Sequence, residues 1–376
     1  MWWRLRALRF KSHYELGIQL GCTFIASGRS CNNYERVRIV KNKIALLGLL
    51  TGVISISMTA IPVIAASPMA ITPLPSDAVV ASAIESASNS SFIPITNSIP
   101  SLTNSGTWWT SINPTVKTDW GCIESGTTVG LTAPITNCVY GDPQATRTLV
   151  VYGDSNAIMW LPAFDSWGYL NQWRIVAIVH YSCSPWNRPW EPPNLLQPNG
   201  VSEGICRQWR KNAMEAIKTL QPTAVAPIGI ENGINNNPNL PHSTMVQIAS
   251  AVAGLITAFK SEHIATVLLQ PAPEFPWASS PSTCLSRHNG NSRSCDLPSS
   301  IVSTQQMGSA FARAAVIAHI YEIPTVRFFC GPVRCPVLVT LHSHNYLIYA
   351  DGYHLSLLYT QQLGEAMAPL ISKDLG

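Results

Sequence analysis

Charge is scarce in this sequence: 12% of its 376 residues are Asp, Glu, Lys or Arg, and the formal net charge is only +4. No basic stripe of the kind that neutralises phosphates is present, so nucleic acid is not expected as a partner. No internal repeat is visible, which sets repeat architectures aside. Cysteine is present, but no couple has the C-x-x-C spacing and none has a second couple at finger-like distance, which argues against a zinc site. Long uncharged apolar runs are lacking with one exception, residues 44–66 (IALLGLLTGVISISMTAIPVIAA).

That exception follows Arg36, Arg38, Lys41 and Lys43, the pattern of a signal peptide or a membrane anchor. Ala65, Ala66 and Ser67 offer a cleavage site, which favours release. Residues 1–43 form a basic leader longer than a signal peptide usually carries, and translation is expected to start near Val37. From residue 67 to 106 the chain is rich in Ser, Pro, Thr, Ala and Asn with almost no charge, the composition of a flexible linker. Residues 107–376 are the expected catalytic domain, with an irregular lead-in to about residue 146. The localisation that follows is extracytoplasmic, either secreted or held at the envelope by one apolar segment.

Ten cysteines are present, and eight lie beyond the apolar segment in close-spaced couples: Cys122 with Cys138, Cys183 with Cys206, Cys284 with Cys295 and Cys330 with Cys335. An even set in an exported chain reads as disulfides closing short loops. Several tryptophans sit beside loop-forming residues (Trp108, Trp109, Trp186, Trp190, Trp277), where flat faces suit sugar rings, although packing is the commoner use of any one of them.

Beyond Arg147 the pattern alternates. Strands are expected at Thr148–Tyr152, Arg174–His180, Thr223–Ile230, Ala265–Gln270 and Thr325–Phe329. Helical spacing covers Ala157–Leu170, Arg207–Leu220, His242–Phe259, Gln305–Tyr321 and the stretch after His354. Strict alternation implies an α/β protein: a three-layer α/β/α sandwich on a parallel sheet of about five strands in flavodoxin-like order.

Such sheets bind ligands beyond the carboxyl ends of the strands. Gly153-Asp154-Ser155 stands there, after the first strand and at the start of a helix whose N–H groups and dipole favour a developing negative charge. Taken alone, Gly-Asp-Ser is ordinary turn and cap chemistry. A serine hydroxyl needs a base oriented by a third group, and Asp351-Gly-Tyr-His354 supplies both from the loop after the last strand. His342-Ser-His344 lacks partner ligands and reads as surface histidine, so no metal and no cofactor are expected.

With both motifs in place the chain resembles the SGNH (GDSL-type) hydrolases, and more narrowly the SGNH domain associated with acyltransferase-3 proteins that O-acylate envelope polysaccharides. The likeness rests on Cys138-Val-Tyr-Gly-Asp142, Leu149-Val-Val-Tyr-Gly-Asp-Ser-Asn-Ala157, Trp160-Leu-Pro-Ala163, Trp173-Arg-Ile-Val176, Ser182-Cys-Ser-Pro185, Cys206-Arg-Gln-Trp209, the Cys330 and Cys335 couple, and Tyr349-Ala-Asp-Gly-Tyr-His-Leu-Ser356. It implies Ser155 as nucleophile, His354 as general base then acid, and Asp351 as the orienting carboxylate.

This chain departs from that pattern in three ways. Asn156 stands where His is common. The oxyanion-hole blocks differ: no glycine follows the second strand, leaving backbone N–H groups of Ser182 or Cys183 beside that of Ser155, and Asn232 comes one place late. The many membrane spans of the acyltransferase-3 module are not in this sequence, so the acyl group is expected from a preformed ester or from a separate membrane acyl-donor protein.

The implied activity is that of an exported serine esterase on acyl esters, chiefly acetyl esters, of carbohydrate or envelope glycan. The alternatives are an O-acyltransferase onto an envelope polysaccharide and a non-catalytic glycan-binding protein that keeps the fold. N-terminal sequencing of the native precursor should read from near Val37, and recovery of Met1 would contradict the expected start.

Overall fold

The computed structural model describes residues 73–90, 122–131, 135–191, 201–230, 241–274, 281–288, 291–300 and 306–375. The sheet is built around β3 (Arg147–Gly153), whose run of Leu, Val, Val and Tyr is buried on both faces, as the central strand of a parallel sheet requires. β4 (Trp173–His180) pairs parallel with one side of β3, with Gly153 opposite Val179. β5 (Ala224–Ile228) pairs parallel with the other side, with Gly153 opposite Ile228.

The next strand bends at Val267. Its first half, β6 (Ala265–Thr266), pairs with β5, and the Val267 N–H donates to Val225 O at 2.9 Å. Its second half, β7 (Leu268–Leu269), pairs with β9 (Glu322–Ile323). The order β4, β3, β5, β6/β7, β9 is the flavodoxin-like order expected. Here the last strand lies at residues 322–323. The strand expected at Thr325–Phe329 is instead a single 3-10 turn over Thr325–Phe328, because Pro324 has no N–H to lend a ladder.

The lead-in is less irregular than its composition suggests. β1 (Ile123–Glu124) extends the sheet parallel to β4, and β2 (Val139–Gly141) runs antiparallel on the same edge. The Cys122–Cys138 disulfide joins the two segments. All four expected cysteine couples are bonded in the structure.

Helices cover both faces. On one, α2 (Ser155–Asn171) and the last helix, α7 (Leu357–Leu375), pack on Leu149, Val151, Ile175 and Ala177. On the other, α3 (Glu203–Leu220) sets Cys206, Trp209, Ala213 and Ile217 against Val150, Tyr152 and Val176, the three-and-four spacing of an amphipathic stripe. Beside it α4 (His242–Ser261) packs against α6 (Gln306–Ala318), the fifth helix, α5 (Pro281–Arg287), being short. Two antiparallel pairs, β8 (Leu297–Pro298) with β10 (Arg334–Cys335) and β11 (Leu338–Leu341) with β12 (His344–Leu347), complete the fold. His342 and His344 flank the tip of that second hairpin, where residues 342 and 343 are left-handed.

One stretch of the expected linker is structured. Residues Asp77–Asn89 form a helix, α1, that buries Val80 and Ile84 in the same core as α2 and α7. The Ser88 hydroxyl oxygen accepts from Val333 N and Arg334 N, and Asp77 pairs with Arg327 at 2.8 Å. The tether reading is therefore corrected over 77–89: Val80, Ile84 and Ala87 form a buried stripe at helical spacing, which a Ser- and Ala-rich run hides. Ile84→Ala should lower stability by about 2–4 kcal/mol in a denaturant titration. The neighbouring Val79→Ala, at a position 43% exposed, should change it little, and equal effects would return the segment to the status of a spacer.

Candidate active site

The site begins with a close approach of two backbones. Gly153 ends β3 with φ +153°, and a Cβ placed there would lie 1.7 Å from Ile228 O on β5. Only glycine lets the chain turn there. Asp154 follows as the N-cap of α2: its Oδ1 accepts from Asn156 N at 2.8 Å and from Asn156 Nδ2 at 3.1 Å, and its Oδ2 accepts from Ile230 N at 3.1 Å. This small carboxylate thus stitches the start of α2 to the loop leaving β5. Burial pushes its pKa up despite those three hydrogen bonds.

Ser155 is then the first residue of α2, where the N–H has no acceptor within the helix. His354 Nε2 lies 2.9 Å from Ser155 Oγ, and His354 Nδ1 lies 2.8 Å from Asp351 Oδ2. The other Asp351 oxygen accepts from Tyr353 N and His354 N, both at 2.7 Å. Burial alone would raise the Asp351 pKa. The His354 ring and the two N–H donors outweigh it and hold the carboxyl below its usual value.

The loop carrying the pair is closed on itself, with Ala350 N donating to His354 O at 2.9 Å and Ser356 N to Ile348 O at 2.8 Å. It is also fastened to α2, because Leu355 N donates to Met159 Sδ, one turn beyond Ser155. Three residues separated by up to 199 positions in the chain are so brought into one hydrogen-bonded line.

The loop after β4 lies alongside. With Gly153 opposite Val179, the two strands leave the sheet edge together. Of its two expected donors, Cys183 is the weaker: its N–H donates to His180 O at 3.2 Å, closing the turn, and the residue is fully buried. Ser182 has φ +64°, the left-handed conformation in which glycine is the usual occupant. Asn232 lies outside the described residues. Asn156 turns inward to Asp154.

Trp186 is buried edge-on against Phe311, so it packs rather than presents a face, and Trp190 packs on the same cluster. Trp108, Trp109 and Trp277 lie outside the described residues.

Size does not point to the same place as chemistry. Among the described residues a cavity of about 530 Å³ lies between α3 and α4, lined by Tyr152, Arg207, Lys211, Met214 and Leu255. The hollow beside the serine helix, lined by Asn156, Met159, Gly229 and Gln270, is about 10 Å³. The candidate site is the one at Ser155, because a hydroxyl, an imidazole and a carboxylate converge there in hydrogen-bonding distance and no such set lines the larger cavity.

The family model described as "SGNH domain (fused to AT3 domains)" matches residues 122–369. No curated protein sequence matches the chain. Among solved structures it is similar to the lipopolysaccharide acetyltransferase periplasmic domain of Salmonella ser. Paratyphi A, at 17% identity and TM-score 0.51, covering 67% of this chain and 91% of that one. Also similar are a putative acylhydrolase of Bacteroides fragilis (15% identity, TM-score 0.38, 63% of this chain and 91% of that one) and a GDSL-like lipase of Bacteroides thetaiotaomicron (14%, TM-score 0.35, 60% and 88%).

The depressed Asp351 pKa makes a pH prediction. Its folded value lies below the unfolded one, so the stability it contributes is fully present above about pH 4 and fades as pH falls through the folded value. The melting-temperature gap between the protein and its Asp351→Asn variant should be widest near neutrality and close below that range. A gap independent of pH would contradict the linkage.

Proposed function

The chain belongs to the SGNH family and is an esterase or acyltransferase; on that premise we propose that it is an exported serine esterase acting on acetyl or similar small acyl esters of carbohydrate or envelope glycan. The observation that carries this reading is the line from Ser155 Oγ through His354 to Asp351, with contacts of 2.9 and 2.8 Å.

In this mechanism His354 Nε2 takes the Ser155 proton as Oγ attacks the ester carbonyl carbon. The carbonyl oxygen becomes an oxyanion beside the Ser155 N–H at the start of α2, with the loop after β4 on its flank. His354 returns the proton to the departing alcohol, and an acyl-serine remains. Asp351 stays ionised throughout and keeps the ring oriented, the task for which its environment holds it charged. Water, deprotonated by His354, then attacks the acyl carbon, and the proton passes from His354 to Ser155 Oγ as the ester bond breaks and the acid leaves. Export is supported by the four disulfides, which persist in oxidising compartments. The apolar segment at 44–66 would direct it, cleaved or retained as an anchor.

A second reading replaces that water with a sugar hydroxyl, making the protein an O-acyltransferase supplied by a separate membrane acyl donor. The match to SGNH domains fused to acyltransferase-3 modules favours it. Both share the acyl-serine and differ only in what the acceptor space admits.

Ser155→Ala should reduce ester turnover by at least about 10³-fold and abolish labelling by a fluorophosphonate, while leaving the melting temperature near that of the parent. Equal turnover by the two proteins would overturn the mechanism. Incubating the active protein with an acyl ester and a sugar acceptor, followed by mass spectrometry, then assigns hydrolysis or transfer by the product formed.

A further inference from the structure

The loop after β4 is restrained at three consecutive residues by partners from different elements. Cys183 is bonded to Cys206 on α3. The Ser184 carbonyl accepts from Arg210 Nη1 at 3.1 Å, and its hydroxyl donates to Ile230 O at 3.3 Å. The Pro185 carbonyl accepts from the Tyr152 hydroxyl at 3.2 Å. Pro185 also closes on Gly229, where an added Cβ would lie 2.6 Å from its Cδ and 3.0 Å from Asp154 Oδ2. The loop, the β5 exit and the serine turn are thereby packed as one body.

Within that body the unusual element is ionic. Arg210 pairs with Glu203 two turns earlier on the same face of α3, and the two residues are 4% and 1% exposed. Desolvating two charges costs much of what their attraction returns, and well-packed apolar residues often stabilise a fold as well. What an apolar pair lacks is a donor able to reach Ser184 O from inside the helix. The loop has need of one: Ser182, two residues upstream, is held in the left-handed conformation without being glycine, and such a residue relaxes unless its surroundings fix it.

We propose that Glu203 and Arg210 are positioning residues: Glu203 orients the Arg210 guanidinium, and Arg210 holds Ser184, whose hydroxyl donates to the carbonyl of Ile230 while the Ile230 N–H donates to Asp154, so that the loop after β4 keeps its place beside the turn that carries Ser155. The pair touches neither substrate nor nucleophile, and its role rests on the serine-ester reading above. The disulfide at Cys183 fixes the loop's distance from α3, and the guanidinium fixes its rotation.

The test uses the full-length exported protein and 4-nitrophenyl acetate. In a Glu203→Leu/Arg210→Met double variant no charge is left unpaired, so the melting temperature should stay near that of the parent. KM should remain within about twofold while kcat falls at least about tenfold, the scale of loss when a reacting group is held slightly out of place. Arg210→Lys, which keeps the charge but not the fork that serves two acceptors, should fall between them. Amide hydrogen exchange at residues 182–184 should quicken by at least about tenfold in the double variant.

A folded double variant with the parent's kcat, or Arg210→Lys with the parent's kcat should the double variant misfold, would overturn the proposal. Failure of the serine reading shows differently, as absent turnover and absent Ser155 labelling in the parent. In that case unchanged exchange at 182–184 would still refute the clamp.

Discussion

Everything at this site depends on how closely β3 passes β5 at Gly153. A hydrogen in place of a side chain allows the β3 backbone to turn against Ile228 O, and Asp154 N then donates to that same carbonyl at 3.3 Å. From there Asp154 needs only two hydrogen-bonding directions to cap α2 and to hold Ile230 N. One glycine and one carboxylate therefore fix the direction of the serine helix relative to two strands. A larger residue at 153 would have to separate β3 from β5, and with them the exits that flank Ser155.

The histidine arrives by a different constraint. α7 crosses α2 so closely that a Cβ at Gly364 would sit 2.6 Å from Ser166 Cβ and 2.9 Å from Trp167 N. This contact seats the last helix, and the short closed loop before it, between Tyr349 and Leu355, places His354 over the start of α2. His354 is thus carried by an element whose position is set at mid-helix, far from Ser155. Substitutions at Gly364 would act on the Ser155 to His354 distance through helix packing rather than through any contact with the site.

The parts that were legible in the sequence are those in which a local pattern states its own reason. A β-rich apolar run followed by Gly-Asp-Ser, and Asp-x-x-His before an amphipathic terminal helix, each say what the backbone does next, and the strand order follows from their alternation. α1 was hidden because Val80, Ile84 and Ala87 in a Ser- and Ala-rich run give too little apolar signal. The strand expected at 325–329 had β-rich composition, but Pro324 shifted the pairing upstream to residues 322–323. Composition also offers no way to see that Cys183 spends its N–H on His180 O or that Ser182 is left-handed, since both follow from how a loop closes in space. Trp186 was visible as a residue but not as a core residue, because a loop position and a buried position can share the same neighbours in sequence.

Two aspartates stand near the serine, and their environments separate their tasks. Asp154 is buried without a counter-charge in contact, its hydrogen bonds come from amides, and burial favours its neutral form. Asp351 is more open to solvent, touches the His354 ring directly, and is held charged. An imidazolium forming at His354 requires a negative partner that is already ionised and already aligned. Asp351 meets both conditions and Asp154 meets neither, since turning toward the histidine would cost it the cap of α2 and the tie to Ile230. The carboxylate adjacent to Ser155 in sequence is thus tied into the structure, and the one 196 residues beyond it is the one placed to serve His354 in the mechanism proposed.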